Sequence, residues 1–177
     1  MLDKIVNKLI DTISQHGGCA IFAEKRAKFE GWVKVELARI FSELGYKVEP
    51  EKLYFIDKEH QVERHQVDLF SERGNTSLCV ELKTVNTSYK GILAKKKTRP
   101  ITMNVNSVLE DLEKLSAIKE ANPQVECYML FLVYPCESGN EHWQMHERRL
   151  KSRCASLSRR AFSFKNGERG LVYVAKV

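Results

Sequence analysis

Val67-Asp68-Leu69-Phe70 and Val80-Glu81-Leu82-Lys83 are the two runs on which the fold of this chain turns. The first is apolar but for one acid, the second alternates apolar and charged residues, and Glu72-Arg73-Gly74-Asn75 between them has the composition of a turn. Strand, turn and strand in immediate succession predict an antiparallel hairpin, with strands over 66–70 and 78–85. Residues two apart on a strand share a face, so Glu81 and Lys83 project together. Asp68, on the neighbouring strand, can come alongside Glu81. Two carboxylates and an amine then occupy one small volume against an apolar sheet, which is costly unless something neutralises them. A divalent cation does so, and Mg²⁺ prefers carboxylate oxygens.

Working outward, Leu2, Ile5, Val6, Leu9, Ile10 and Ile13 recur at helical spacing until His16-Gly17-Gly18. A second helix is expected over 24–44, with Phe29, Val33, Leu37, Ile40, Phe41 and Leu44 on its apolar face and Gly45 as C-cap. The period then changes to that of a strand over 46–55, where Pro50 marks an edge or bulge. Beyond the hairpin, 86–100 reads as a loop. A third helix carries Val105, Val108, Leu109, Leu112, Leu115 and Ile118 on one face and ends at Asn122-Pro123. Residues 127–134 are apolar on both faces, as a central strand requires. A fourth helix is expected over 141–158, a hairpin turn at Asn166-Gly167, and a final strand over 171–177. The expected order is ααβββαβαβ, an α/β fold with a mixed sheet flanked by helices.

This arrangement resembles the PD-(D/E)xK phosphodiesterase superfamily, which includes restriction endonucleases and resolvases. The resemblance covers about 36–134 and implies a restriction endonuclease-like domain spanning 1–177. Its core would lie over 24–134, with the helix at 1–16 and the segment 141–177 as elaborations. The superfamily's motif Asp matches Asp68, and its (Asp/Glu)-x-Lys matches Glu81 and Lys83, although Val67 stands where the motif has Pro. Many members add a Glu from the preceding helix. Glu36-Leu37-Ala38, followed by Phe41, Leu44 and Gly45-Tyr46, is similar to that helix ending, with Glu30 and Glu43 as rivals for Glu36. The resemblance implies a Mg²⁺-dependent DNA nuclease, with Mn²⁺ able to substitute. Asp68 and Glu81 would bind the metal, Glu36 would support it or a second one, and Lys83 would position the attacking water. Gln66 is a candidate accessory ligand. Members often act as dimers because a duplex has two strands, so a homodimer is an expectation, with the N-terminal helix as its candidate interface.

The 177 residues include 29 Lys and Arg against 23 Asp and Glu, a net charge of +6 that suits a polyanionic partner. At 43% apolar and 29% charged, the composition excludes a disordered tail or a collagen-like fibre. No apolar run approaches a membrane span, and the N-terminus lacks a signal-peptide pattern, so the expectation is a cytoplasmic protein without a membrane partner. Cys19, Cys79, Cys127, Cys136 and Cys154 are odd in number and irregularly spaced, which disfavours a zinc site or a disulfide framework. Two basic regions are candidate DNA contacts: Lys95, Lys96, Lys97 and Arg99 in the loop after the Glu-x-Lys strand, and Arg149, Arg153 and Arg160 on one side of the fourth helix. His142 and His146 have i, i+4 spacing but no evident third ligand, and His60 and His65 flank the second strand. Two other readings compete with the nuclease: a catalytically inactive DNA-binding or assembly subunit on the same scaffold, and an adaptor whose basic helix docks an acidic partner.

Overall fold

The computed structural model describes residues 2–58, 61–90 and 101–177. The elements are α1 (Leu2–Gln15), α2 (Gly17–Lys25), α3 (Glu30–Glu43), β1 (Lys47–Lys58), β2 (Gln61–Arg73), β3 (Thr76–Asn86), α4 (Ile101–Ala121), β4 (Val125–Tyr134), α5 (Glu141–Lys151), β5 (Ser156–Ser163) and β6 (Arg169–Lys176). Among the described residues they form an α/β fold with one six-stranded sheet in the order β1-β2-β3-β4-β6-β5. The predicted hairpin is present: β2 and β3 pair antiparallel, with Leu69 opposite Val80 and Arg73 opposite Thr76. β3 and β4 are parallel and the other pairs antiparallel, so the sheet is mixed.

Period-two alternation sorts the strands into two cores. Leu78, Val80 and Leu82 of β3 and Leu130, Leu132 and Tyr134 of β4 join the buried faces of α1, α2 and α3. Cys79, Val85, Cys127, Met129, Phe131 and Val133 point the other way, onto Val105, Val108, Leu112, Leu115 and Ile118 of α4 and Trp143 and Leu150 of α5. Glu81 and Lys83 share the parity of Cys79 and Val85, so they face α4.

Local chemistry explains most boundaries. Gly45, at φ 80°, ends α3 in a Schellman motif: its N–H donates to Ser42 O, and the Tyr46 N–H donates to Phe41 O. The Phe41 and Tyr46 rings meet at 5.4 Å, the apolar contact that accompanies this cap. Pro50 lies on β1, an edge strand, as expected. The β1–β2 ladder passes from Pro50–Leu69 to Lys52–Val67 without pairing Glu51 and Asp68, and Glu51 adopts φ 57°. The ribbon therefore kinks at these two residues.

Two segments differ from the sequence expectation. The helix expected over 24–44 begins only at Glu30: a separate helix, α2, starts at Gly17 and ends at Lys25, where Arg26 takes a left-handed φ of 52°. Its buried guanidinium donates to Thr87 O at 2.5 Å and Tyr89 O at 2.6 Å, while Asn86 Nδ2 donates to Arg26 O at 2.8 Å. These long-range bonds fasten the break to the end of β3, where helical periodicity cannot register them. The helix expected over 141–158 stops at Lys151, and 156–163 is β5. A hairpin turn at Asn166-Gly167 needs a strand on both sides, and β6 takes β5 as its antiparallel partner from Ser156–Lys176 to Ser163–Arg169. The order is therefore αααβββαβαββ.

The apolar face of α1 is part of the core: Ile5, Leu9 and Ile13 are fully buried. Leu9→Ala should therefore lower stability by about 2–5 kcal/mol in urea denaturation, and a loss below about 1 kcal/mol would show that α1 is not integral to the core.

Candidate active site

β2 and β3 stop pairing one step after Leu69–Val80, at Asp68 and Glu81. β3 runs on beside β4 to Asn86, while β2 continues with β1 alone. Strands that part leave backbone N–H groups without ladder partners, and buried donors of this kind must be satisfied. At this fork the two carboxylates do so crosswise. Leu82 N donates to Asp68 Oδ2 at 2.9 Å, and Asp68 N donates to Glu81 Oε2 at 3.3 Å. Two residues further along β3, Thr84 N donates to Glu30 Oε2 at 2.9 Å, from the first turn of α3.

Each carboxylate keeps a second oxygen, and lysines hold both. Lys34 of α3 lies 2.6 Å from Asp68 Oδ1 and also pairs with Glu51 across the kink. Lys114 of α4 lies 2.8 Å from Glu81 Oε1 and 3.4 Å from Asp111 Oδ1, and donates to Gln66 O at 3.0 Å. Lys83 lies 2.8 Å from Asp111 Oδ2. Asp68, Glu81, Asp111, Lys34, Lys83 and Lys114 thus form one alternating network between the sheet, α3 and α4.

Its electrostatics are set by burial. Glu81 is 6% exposed; desolvation first, and the neighbouring Asp68 charge second, raise its pKa to about 7 despite Lys114. Burial works against the charge on Lys83, but its hydrogen bond to Asp111 and the charges of Asp111, Glu30 and Glu81 outweigh that, so its pKa lies above the usual lysine value. The same balance, with Asp68 and Glu51 as partners, raises Lys34.

The structure therefore brings Asp68 and Glu81 together at the fork, with Lys83 on the Glu81 side facing α4, and corrects the fourth member. Glu36 is not in this cluster. It pairs with Arg39 at 2.9 Å, and its charge acts on the Cys19 thiol. Glu30 and Lys34, one turn apart, face the fork, whereas Glu36 is rotated about 200° from Lys34 around the helix. Glu43 pairs with Lys8 at 3.2 Å. A helix running from 24 leaves Glu30 in its interior with nothing to favour it, whereas the true start at Glu30 puts it in the first turn. Asp111, Lys114 and Lys34 were also missed. The visible signal was two opposite charges three residues apart beside the apolar positions Val108, Leu112 and Leu115.

Gln66 does not reach the pair: its side-chain amide donates to Glu51 Oε2 at 2.6 Å. Lys95, Lys96, Lys97 and Arg99 lie outside the described residues. The basic face expected on the fourth helix does not form. Arg149 is on α5, Arg153 lies beyond its end at 3.9 Å from Glu113, and Arg160 is on β5, bonded to Asp3 at 2.5 Å and to Asn7 of α1. The strand at β5 breaks the helical periodicity that would have aligned them. His65 pairs with Glu63 at 3.1 Å, and His142 lies against the Tyr89 ring.

Among the described residues, no group of three or more His, Cys, Asp or Glu side chains forms a metal-binding set. The pair at the fork fits a hard divalent cation by its donor chemistry: two carboxylates, one deeply buried, each with one oxygen on a backbone N–H and the other aimed at a cation. Mg²⁺ commonly takes one or two protein carboxylates and completes its shell with water and phosphate.

No helix among the described residues is long and apolar enough to cross a membrane. No protein-family model and no curated protein matches the chain. One solved structure, titled "Crystal structure of SSO0001", is similar at 13% identity with a TM-score of 0.32, over 69% of this chain and 57% of that one. The match thus spans less than two thirds of the solved chain.

The raised pKa of Glu81 has a consequence for stability. Its folded value exceeds its ordinary one, so the favourable contribution is complete below 4.5 and is lost as pH rises to about 7. Urea denaturation of the metal-free protein from about pH 5 to about pH 8 should show this decline, and Glu81→Gln should flatten it; an unchanged slope in the variant would assign the decline elsewhere.

Proposed function

We propose that this protein is a Mg²⁺-dependent nuclease of the PD-(D/E)xK type, hydrolysing phosphodiester bonds in DNA on a restriction endonuclease-like fold. The observation that carries the reading is the crossed pair Asp68 and Glu81 at the strand fork, with Lys83 two residues on and facing the same side. Asp68 and Glu81 would hold the cation, with Mn²⁺ able to replace Mg²⁺. Once bound, such an ion polarises a phosphoryl oxygen and lowers the pKa of a coordinated water.

The chain's own groups do the rest. Lys83, kept protonated by Asp111, offers N–H donors to the attacking water or to the charge that builds on the phosphoryl oxygens. Asp111 acts through Lys83 and is a positioning residue. Glu30 holds the edge of β3 that β2 has left, at the buried Thr84, and so keeps the Glu81–Lys83 segment in place. The net charge of +6 suits a nucleic acid partner. A cytoplasmic location and a homodimer remain part of this proposal.

A second reading is a non-catalytic DNA-binding or assembly subunit. The neutralisation of Asp68 by Lys34 and of Glu81 by Lys114 favours it, because it leaves the carboxylates satisfied without a metal.

Incubation with linear, supercoiled, single-stranded and branched DNA separates the two. We expect cleavage that requires Mg²⁺ or Mn²⁺ and stops with chelator. Asp68→Ala, Glu81→Ala and Lys83→Ala should each reduce the rate by at least about a hundredfold, because metal and water positioning act as a unit. Full cleavage by Asp68→Ala would refute the assignment. Retained DNA binding with no cleavage by the unaltered protein would establish the second reading.

A further inference from the structure

The lysines at the fork hold a particular pair of atoms. Asp68 gives Oδ2 to the Leu82 N–H and Oδ1 to Lys34; Glu81 gives Oε2 to the Asp68 N–H and Oε1 to Lys114. The backbone bonds follow from the parting of the strands. The two remaining oxygens are the ones a divalent cation would take, and each already carries an ammonium group. These groups come from opposite helices, α3 and α4, so they flank the pair. Neither lysine depends on these carboxylates alone: Lys34 also meets Glu51, and Lys114 also meets Asp111 and Gln66 O. Their side chains are 24% and 20% exposed, so both border solvent.

We propose that Lys34 and Lys114 are exchangeable counter-cations of this site. A divalent cation entering at Asp68 Oδ1 and Glu81 Oε1 displaces both ammonium groups, and the freed lysines then take phosphates of the bound strand on either side. Charge is conserved, since two monovalent groups leave the pair as one divalent ion arrives. Without metal the lysines are withheld from DNA, so metal occupancy and strand binding are coupled. This inference rests on the nuclease reading above.

The test is Mn²⁺ titration followed by electron paramagnetic resonance, without DNA. Lys34→Gln with Lys114→Gln should bind Mn²⁺ about tenfold more tightly than the unaltered protein, because two competing cations are gone. A charge-matched control, Lys8→Gln with Lys176→Gln, whose lysines pair with Glu43 and Glu126, should bind nearly as the unaltered protein does. Should the double variant fail to fold, Lys34→Gln alone reads the same effect in smaller measure. DNA affinity is the second readout. In Ca²⁺ the double variant should bind about tenfold more weakly than the unaltered protein, and in chelator the two should bind alike.

Mn²⁺ affinity that changes no more in the site variants than in the control would overturn this inference and leave the nuclease reading standing. Equal losses of DNA affinity in Ca²⁺ and in chelator would overturn it too. Absence of any Mn²⁺ binding that Asp68→Ala removes would overturn both the inference and the nuclease reading.

Discussion

The hydrogen bonds that Asp68 and Glu81 accept from each other's strand, where β2 leaves β3, are the constraint around which the rest of this structure is arranged. A sheet that forks exposes backbone N–H groups inside the fold, and those groups need acceptors. Apolar residues would leave the fork unsatisfied, and neutral amides would bring surplus donors. Carboxylates satisfy it but introduce charge. Glu30 repeats the solution at Thr84 and adds a further acid. Lys34, which also meets Glu51 at the kink, and Lys114 of α4 place cations against this acidic seam.

The network is a poor way to gain stability. Burying ion pairs costs desolvation that their attraction barely returns, and apolar packing in the same volume commonly does as well or better. Apart from Asn104, which donates to Asn86 O, the remainder of the buried α4 face is apolar, with Val105, Val108, Leu112, Leu115 and Ile118 buried. A charged layer set into such a core therefore calls for an explanation other than folding energy, and a carboxylate pair with its cations is the electrostatic form a metal-dependent phosphodiesterase would need. The raised pKa of Glu81 fits the same picture, since burial beside Asp68 makes a positive partner strongly favourable there.

How much of this was legible in the sequence depended on whether the signal was local. The β2–turn–β3 hairpin, the apolar β4, the face of α4 and the Gly45 cap each rest on period or turn chemistry within a few residues, and each is present. Glu81 and Lys83 could be placed together because strand parity decides their face, and the hairpin brings Asp68 of the neighbouring strand beside them. Glu36 was preferred to Glu30 by motif spacing, but the direction of a helical side chain depends on how the helix is rotated against the sheet. That rotation is set by tertiary contacts such as Lys34 with Asp68 and Glu30 with Thr84. Asp111 and Lys114 were unreadable for the same reason, since nothing local says which strand a helix charge will meet. The helix expected over 141–158 failed where an apolar stripe at helical spacing happened to continue into β5, whose pairing with β6 overrides it.

The central claim is that Asp68 and Glu81 form a divalent-cation site at the fork. Amide NMR signals observed during Mn²⁺ addition test it most directly, because paramagnetic broadening depends steeply on distance from the ion. The account predicts that the amides of Asp68 and Leu82, which donate to the two carboxylates, broaden first and well below one equivalent of Mn²⁺. Sharp Asp68 and Leu82 signals, while amides beside exposed acids elsewhere broaden, would contradict it.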